Sequence, residues 1–323
     1  MRSRQEGLRS SLDIPGSVKA TIEGGGFPQL LEKKDTQPTE YLFLIDEQSM
    51  ESHQARLFEY LITFLKGKDV LLDTFYYNTD FNRFWNKYYP KGINDVMLPR
   101  MFQHHRLVVM GDAHGLLDPF GNGGRQLREK PRKVLKAWKE RLLITPLPPE
   151  SWTWKEAALH HLFPVFPADI LGLGQAMNYI ESGGAQDEHQ PNFETWKKGL
   201  LADRAEADVN RRRWHRLKEY QSFLKDHPDV YKWLCALAVC PQPRWETTIA
   251  IGKALKPVGV EVTFDKLLLL ARIPFSQSGI LPGSLRIELL RELHETTERL
   301  AREVVREELE AIKANVKVSH ADY

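Results

Sequence analysis

Five short apolar runs separated by amphipathic stretches occupy residues 41–168, and no other feature of the chain constrains its fold as much. The runs are Tyr41–Asp46, Val70–Tyr77, Arg106–Asp112, Arg141–Thr145 and Phe163–Phe166. Each ends at an acid or a turn residue before a helical pattern begins. Such alternation predicts a mostly parallel sheet covered by helices. In sheets of this kind, ligands bind beyond the carboxyl ends of the strands. Asp46 and Asp112 stand at two of those ends and are the first candidate site residues.

The rest of the chain divides around this block. Residues 1–38 hold Pro15, Gly16, the Gly24–Gly26 run and Pro38 without sustained periodicity, which predicts a flexible leader with at most one short helix. After the first run, Ser49 or Ser52 is placed to cap a helix whose apolar face is Leu57, Tyr60, Leu61, Phe64 and Leu65. Further helices are expected over 94–104, 133–140, 152–162 and 171–180, with an aromatic-rich loop over 81–90. The α/β domain is therefore placed at 39–182. Gly183–Pro191 reads as a linker, and 192–323 as a second, helical domain.

That second domain is expected to hold helices over 192–225, 230–239, 245–255 and 264–271, then a tight turn or small hairpin over 273–282. A long final helix begins near Ser284. Leu285, Leu289, Leu293, Leu300 and Val304 recur along it at spacings of four and seven, with Ile312 beyond. The stripe is longer than a small helical domain easily covers, so it is the predicted surface for a protein partner or for self-association.

A length of 323 residues fits two domains. The 45 basic and 43 acidic residues leave a net charge of only +2, so no general attraction to nucleic acid or anionic lipid is implied. Arg211–Arg216 with Lys218 is the one basic cluster, and Glu206, Asp208 and Glu219 dilute it; nucleic-acid binding there is a second alternative reading. Cys235 and Cys240 have no metal-ligand spacing and read as packing residues of a reducing compartment. No apolar stretch approaches the ~20 residues that span a bilayer, and a cytoplasmic protein is expected.

Motifs add resemblances. Asp46-Glu-Gln48-Ser49-Met50 after an apolar strand resembles the metal-dependent adhesion motif of von Willebrand factor A-type domains, Asp-x-Ser-x-Ser. The resemblance implies a Rossmann-like fold with a crevice formed by Asp46, Ser49, Asp112 and His114. In that family the Asp and two Ser hold Mg²⁺. Here Gln48 and Met50 occupy the serine positions. Two hard oxygen ligands with few neutral helpers make a poor Mg²⁺ site, so no cofactor is expected. Gly111-Asp112-Ala-His114-Gly115 also has the form of the first motif of calcineurin-like metallophosphoesterases, whose second and third motifs do not follow. Tyr231–Val239, Trp245–Ala254 and Phe264–Pro282 are similar to winged-helix segments of bacterial signal-transduction ATPases. The phosphate-binding Gly-Lys-Ser/Thr loop of such ATPases is missing. Together these resemblances imply a non-catalytic adaptor within a bacterial signalling or defence assembly. The enzyme alternative is a metal-dependent hydrolase using Asp46 and Asp112.

Overall fold

The first apolar run becomes the middle strand of the molecule, and its burial explains much of what surrounds it. The computed structural model describes residues 4–12, 16–17, 20, 31–47, 52–66, 71–118, 126–182 and 217–321. Strands β1 (Arg4–Leu12) and β2 (Glu32–Pro38) pair antiparallel ahead of the main sheet. Extended pairing thus replaces the leader expected there, since backbone ladders need no apolar periodicity.

The main sheet contains β3 (Glu40–Asp46), β4 (Leu71–Tyr77), β5 (Arg83–Trp85), β6 (Ile93–Asn94), β7 (Arg106–Met110), β10 (Arg141–Thr145) and β11 (Val165–Pro167). A separate pair is formed by β8 (Leu117–Asp118) and β9 (Gln126–Leu127). The order across the seven-stranded sheet is β11-β10-β7-β3-β4-β5-β6. All five apolar runs are its parallel strands, while β5 and β6 add an antiparallel edge. That edge comes from the expected aromatic loop. Phe84 and Ile93 both turn inward from it, and Gly92, at φ +76°, makes the bend between them.

Tyr41 to Ile45 are wholly buried, as expected of a central strand covered on both faces. Successive side chains point to opposite faces. Tyr41, Phe43 and Ile45 join one core cluster; Leu42 and Leu44 join the other. The first cluster lies beneath α1 (His53–Lys66) and α5 (Ile170–Glu181). The second is closed by α2 (Met97–Phe102), α3 (Glu129–Leu135) and α4 (Trp154–His160), around the buried Trp138. The Trp138 indole N–H donates to Phe102 O at 2.8 Å, which satisfies its one polar atom. Of the two serines placed to cap α1, Ser52 does so, its Oγ accepting from Ala55 N at 3.3 Å.

The second half is helical in its described residues: α6 (Leu217–Phe223), α7 (Pro228–Leu237), α8 (Trp245–Ala254), α9 (Phe264–Arg272), α10 (Phe275–Ser278), α11 (Gly283–Arg291) and α12 (Glu295–Ala321). Trp233 is its buried centre and donates to Thr248 O at 3.0 Å. A side chain at Gly252 would collide with that ring, so only glycine lets α8 approach. Residues 273–282 contain the short α10 where a turn or hairpin was expected; Ser276 Oγ donates to Ala271 O at 2.6 Å and holds the turn against α9. The long final helix is broken at Glu292–His294 into α11 and α12. His294 Nδ1 accepts from Thr296 N at 3.4 Å at the new start. The break lets α11 pack on α7 and α6 while α12 packs on α8 and α7.

The two halves share one core. Residues of β3, α1 and α5 belong to the same apolar cluster as Trp233, Leu237, Ile251 and Leu268. Polar contacts cross it too. His53 Nε2 lies 2.7 Å from Thr248 Oγ1, with its ring edge-on to Trp245 and Phe275. Gln54 donates to Ala271 O at 2.8 Å, and Arg272 donates to Pro146 O at 2.7 Å. The linker expected at Gly183–Pro191 lies outside the described residues. A shared core predicts that the halves unfold together, in one transition seen alike by far-UV circular dichroism and tryptophan fluorescence. Cleavage in residues 183–191 should leave fragments that co-elute. Two separated transitions, or fragments that part on a sizing column, would show that the interface is weaker than its burial implies.

Candidate functional site

The parallel strands follow the order 2-1-3-4-5 in apolar runs, so the chain changes direction across the sheet between β3 and β7. A crevice opens at such a switch point, beyond the carboxyl ends of the two strands. Asp46 ends β3 and Asp112 follows β7. The sequence therefore placed both acids at the one position where sheet topology favours a site.

Glycine makes their approach possible. Gly111 has φ +137°, and a Cβ added to it would lie 2.5 Å from Asp46 Cβ. Its N–H donates to Ile144 O at 3.0 Å, tying the turn to β10. Asp46 is in register with Tyr77 at the end of β4, and Glu47 N donates to Tyr77 O at 2.9 Å. Tyr77 is fully buried, edge-on to Phe81 at 5.2 Å. Burial, with the adjacent charges of Asp46 and Asp112, drives its phenol well above the ordinary tyrosine range. It is a neutral hydroxyl at any physiological pH. The Glu47 carboxyl is also pushed up by burial, although Arg56, 3.3 Å away, opposes this.

Three residues at the site were not anticipated. Tyr77 is one, and Lys155 and Glu156 are the others. Lys155 is 1% exposed, and its ammonium donates to Asp112 Oδ1 and, at 2.8 Å, to Asp112 O. It also lies 3.1 Å from Glu156 Oε1. Glu156, wholly buried, accepts from Thr153 N at 2.7 Å, while Thr153 Oγ1 accepts from Lys155 N at 3.3 Å. This is a capping box, readable in the sequence as Thr-x-x-Glu before an apolar helix. A lysine in the first turn faces the positive end of the helix dipole, which is unfavourable unless carboxylates hold it. That conflict was the available signal for Lys155.

The surrounding loops are held in unusual conformations. Ala113 and Phe81 both have φ +52°, the only non-glycine residues with positive φ among those described. Arg128 bridges their loops by donating to Gly115 O at 3.0 Å and to Thr79 O.

Of the expected crevice residues, Asp46 and Asp112 come together. His114 is exposed in the turn His114–Leu116, and Ser49 lies outside the described residues. Leu285 and Leu289, expected on the association surface, are wholly buried in the core. Leu293, Leu300 and Val304 are partly buried against it. These five residues hold the fold together. Burial pushes the Cys235 thiol up to about 12, and Cys240 is raised as well, so neither is an activated nucleophile. Arg211–Arg216 lie outside the described residues; Lys218, on α6, is exposed. Among the described residues, no three His, Cys, Asp or Glu side chains are grouped to hold a metal, and no helix is long and apolar enough to cross a membrane. Comparison with protein-family models, curated proteins and solved structures gave no significant match.

Chemically, Lys155 places a cation on Asp112 Oδ1, one of the oxygens that a divalent cation would need, and it offers no lone pair while it is an ammonium.

Proposed function

We propose that this chain is a non-catalytic protein-interaction module, an adaptor in a bacterial signalling or defence assembly. In this reading the first half is a von Willebrand A-like domain whose metal has been replaced, and the second half is winged-helix-like. The observation that carries it is the Lys155 ammonium seated on Asp112 and beside Glu156. A protein cation at that position offsets part of the charge of the acids without any bound ion. In this reading it stands in for the Lewis acid that phosphoester hydrolysis would use. The shared core supports the same reading, because it makes both halves one rigid platform for a partner.

The test is direct. Calorimetric titration of the protein with Mg²⁺ and with Mn²⁺ should give no binding heat, and a phosphodiesterase assay with Mn²⁺ should give no turnover. Binding of Mn²⁺ with turnover, both lost in Asp112→Ala, would establish the hydrolase and overturn the adaptor.

A further inference from the structure

The fold assembles a basic surface that is dispersed in the sequence. Residues 82–139 hold twelve Lys and Arg against four Asp and Glu, so a chain of net charge +2 carries +8 in this stretch and −6 elsewhere. Arg106 is buried on Glu140 and Arg128 is engaged with loop carbonyls, but nine of the other cations are exposed. Helices α2 and α3 cover the same face of the sheet and lie side by side with like ends together. Lys130, at the start of α3, pairs at 3.1 Å with Asp95 just before α2, and Trp138, beyond α3, donates to Phe102 O at the end of α2. Their outer stripes therefore form one surface. Met97, Arg100 and Met101 are the exposed stripe of α2; Arg132, Lys133 and Lys136 are that of α3, with Lys139 beyond. A loop joins this surface at the Phe102 end. Tyr89 stacks on Phe75 at 5.9 Å and Phe75 meets Phe102 edge-on at 5.3 Å, which brings the neighbouring Lys87, Tyr88 and Lys91 toward that end.

The acids of this surface are already engaged. Asp95 holds Lys130, and Glu129 accepts from Lys133 at 2.7 Å. Among the described residues, Arg100, Arg132, Lys136 and Lys139 form no ion pair. Like charges gathered in this way repel one another, and an anionic ligand relieves the repulsion. Tyr88 is 72% exposed, and Lys87 Nζ lies 4.8 Å from its ring centre. A single-stranded nucleic acid carries one phosphate and one stackable base per unit, which matches cations grouped around an open aromatic ring. An acidic peptide offers that ring no stacking plane. Met97 and Met101, 46% and 42% exposed, lie half against the body instead of protruding as bilayer-inserting residues do. We infer that α2, α3 and the loop before β6 bind single-stranded nucleic acid, with phosphates on Arg100, Arg132, Lys136 and Lys139 and a base on Tyr88. This function is additional to the adaptor reading and does not depend on it.

Fluorescence anisotropy of a labelled thymidine oligonucleotide with the full chain should show binding that weakens with salt. The slope of log K against log salt should be about −3, for four contacts at ~0.7 each. Arg132→Glu with Lys136→Glu should weaken binding about tenfold or more and flatten the slope by about 1.4. The thermal unfolding midpoint should be retained, because both side chains are exposed. Lys253→Glu with Lys256→Glu, exposed at the end of α8, changes the net charge equally and should leave binding nearly unchanged. Tyr88→Ala should cost about fivefold or more, the usual loss of a stacked base. Absence of binding at low salt overturns the inference, and so does equal weakening by the two double reversals. Polyglutamate or phosphatidylserine vesicles bound in place of the oligonucleotide overturn it as well, in favour of a protein or lipid surface. A duplex bound as tightly as the single strand, with Tyr88→Ala silent, overturns the single-strand assignment. Metal titration and the phosphodiesterase assay are separate measurements, so failure here is distinguishable from failure of the adaptor reading.

Discussion

Lys155→Met should destabilise the protein by about 3–5 kcal/mol, the usual cost of removing one partner from a buried ion cluster. The methionine fills a similar volume, so the loss is electrostatic. Asp112 and the wholly buried Glu156 would lose the cation that they share. Denaturant unfolding would measure the change as a lower midpoint with an unchanged slope. Removing the charges together should recover most of it: in Lys155→Met with Asp112→Asn and Glu156→Gln, the glutamine still caps Thr153 and no ion is stranded. A Lys155→Met protein as stable as the wild type would show that the cluster is solvated and that a cation from solution can enter. That result would reopen the crevice as a metal site.

Gly111→Ala should be nearly as damaging, at about 2–5 kcal/mol from backbone strain and overpacking combined. The backbone there is at φ +137°, where side chains are rarely accommodated, and the new methyl would meet Asp46 Cβ. Both the strand end and the acid would have to move. Gly174→Ala, in the interior of α5 with nothing within 4 Å of the added carbon, is the matched control. It should stabilise by about 0.5–1 kcal/mol through helix propensity and a less flexible unfolded chain. If the two substitutions had equal effects, the close approach of β3 and β7 would not be a feature of the folded protein.

The sequence by itself determined the elements. Local patterning was enough to place all five parallel strands, because a run such as Leu42–Ile45 between turn residues has few alternatives to a buried strand. It also placed α5, α7, α8 and α9 to within a few residues, because their apolar spacing is a property of the chain itself. Asp46 and Asp112 were legible as strand-end acids for the same reason.

Tertiary structure alone decided what those elements meet. Lys155 reaches Asp112 across 43 residues and His53 reaches Thr248 across 195, and no local pattern encodes either contact. The leucine stripe makes the point most sharply. Leu285, Leu289, Leu309 and Ile312 are all apolar residues at helical spacing, yet the first two are buried and the last two are exposed. The break in the helix at Glu292–His294 and the exposure of α12 on all sides after Glu308 separate them. Helical periodicity is set by neighbours three and four residues away, whereas burial is set by whatever surface the fold brings against that face.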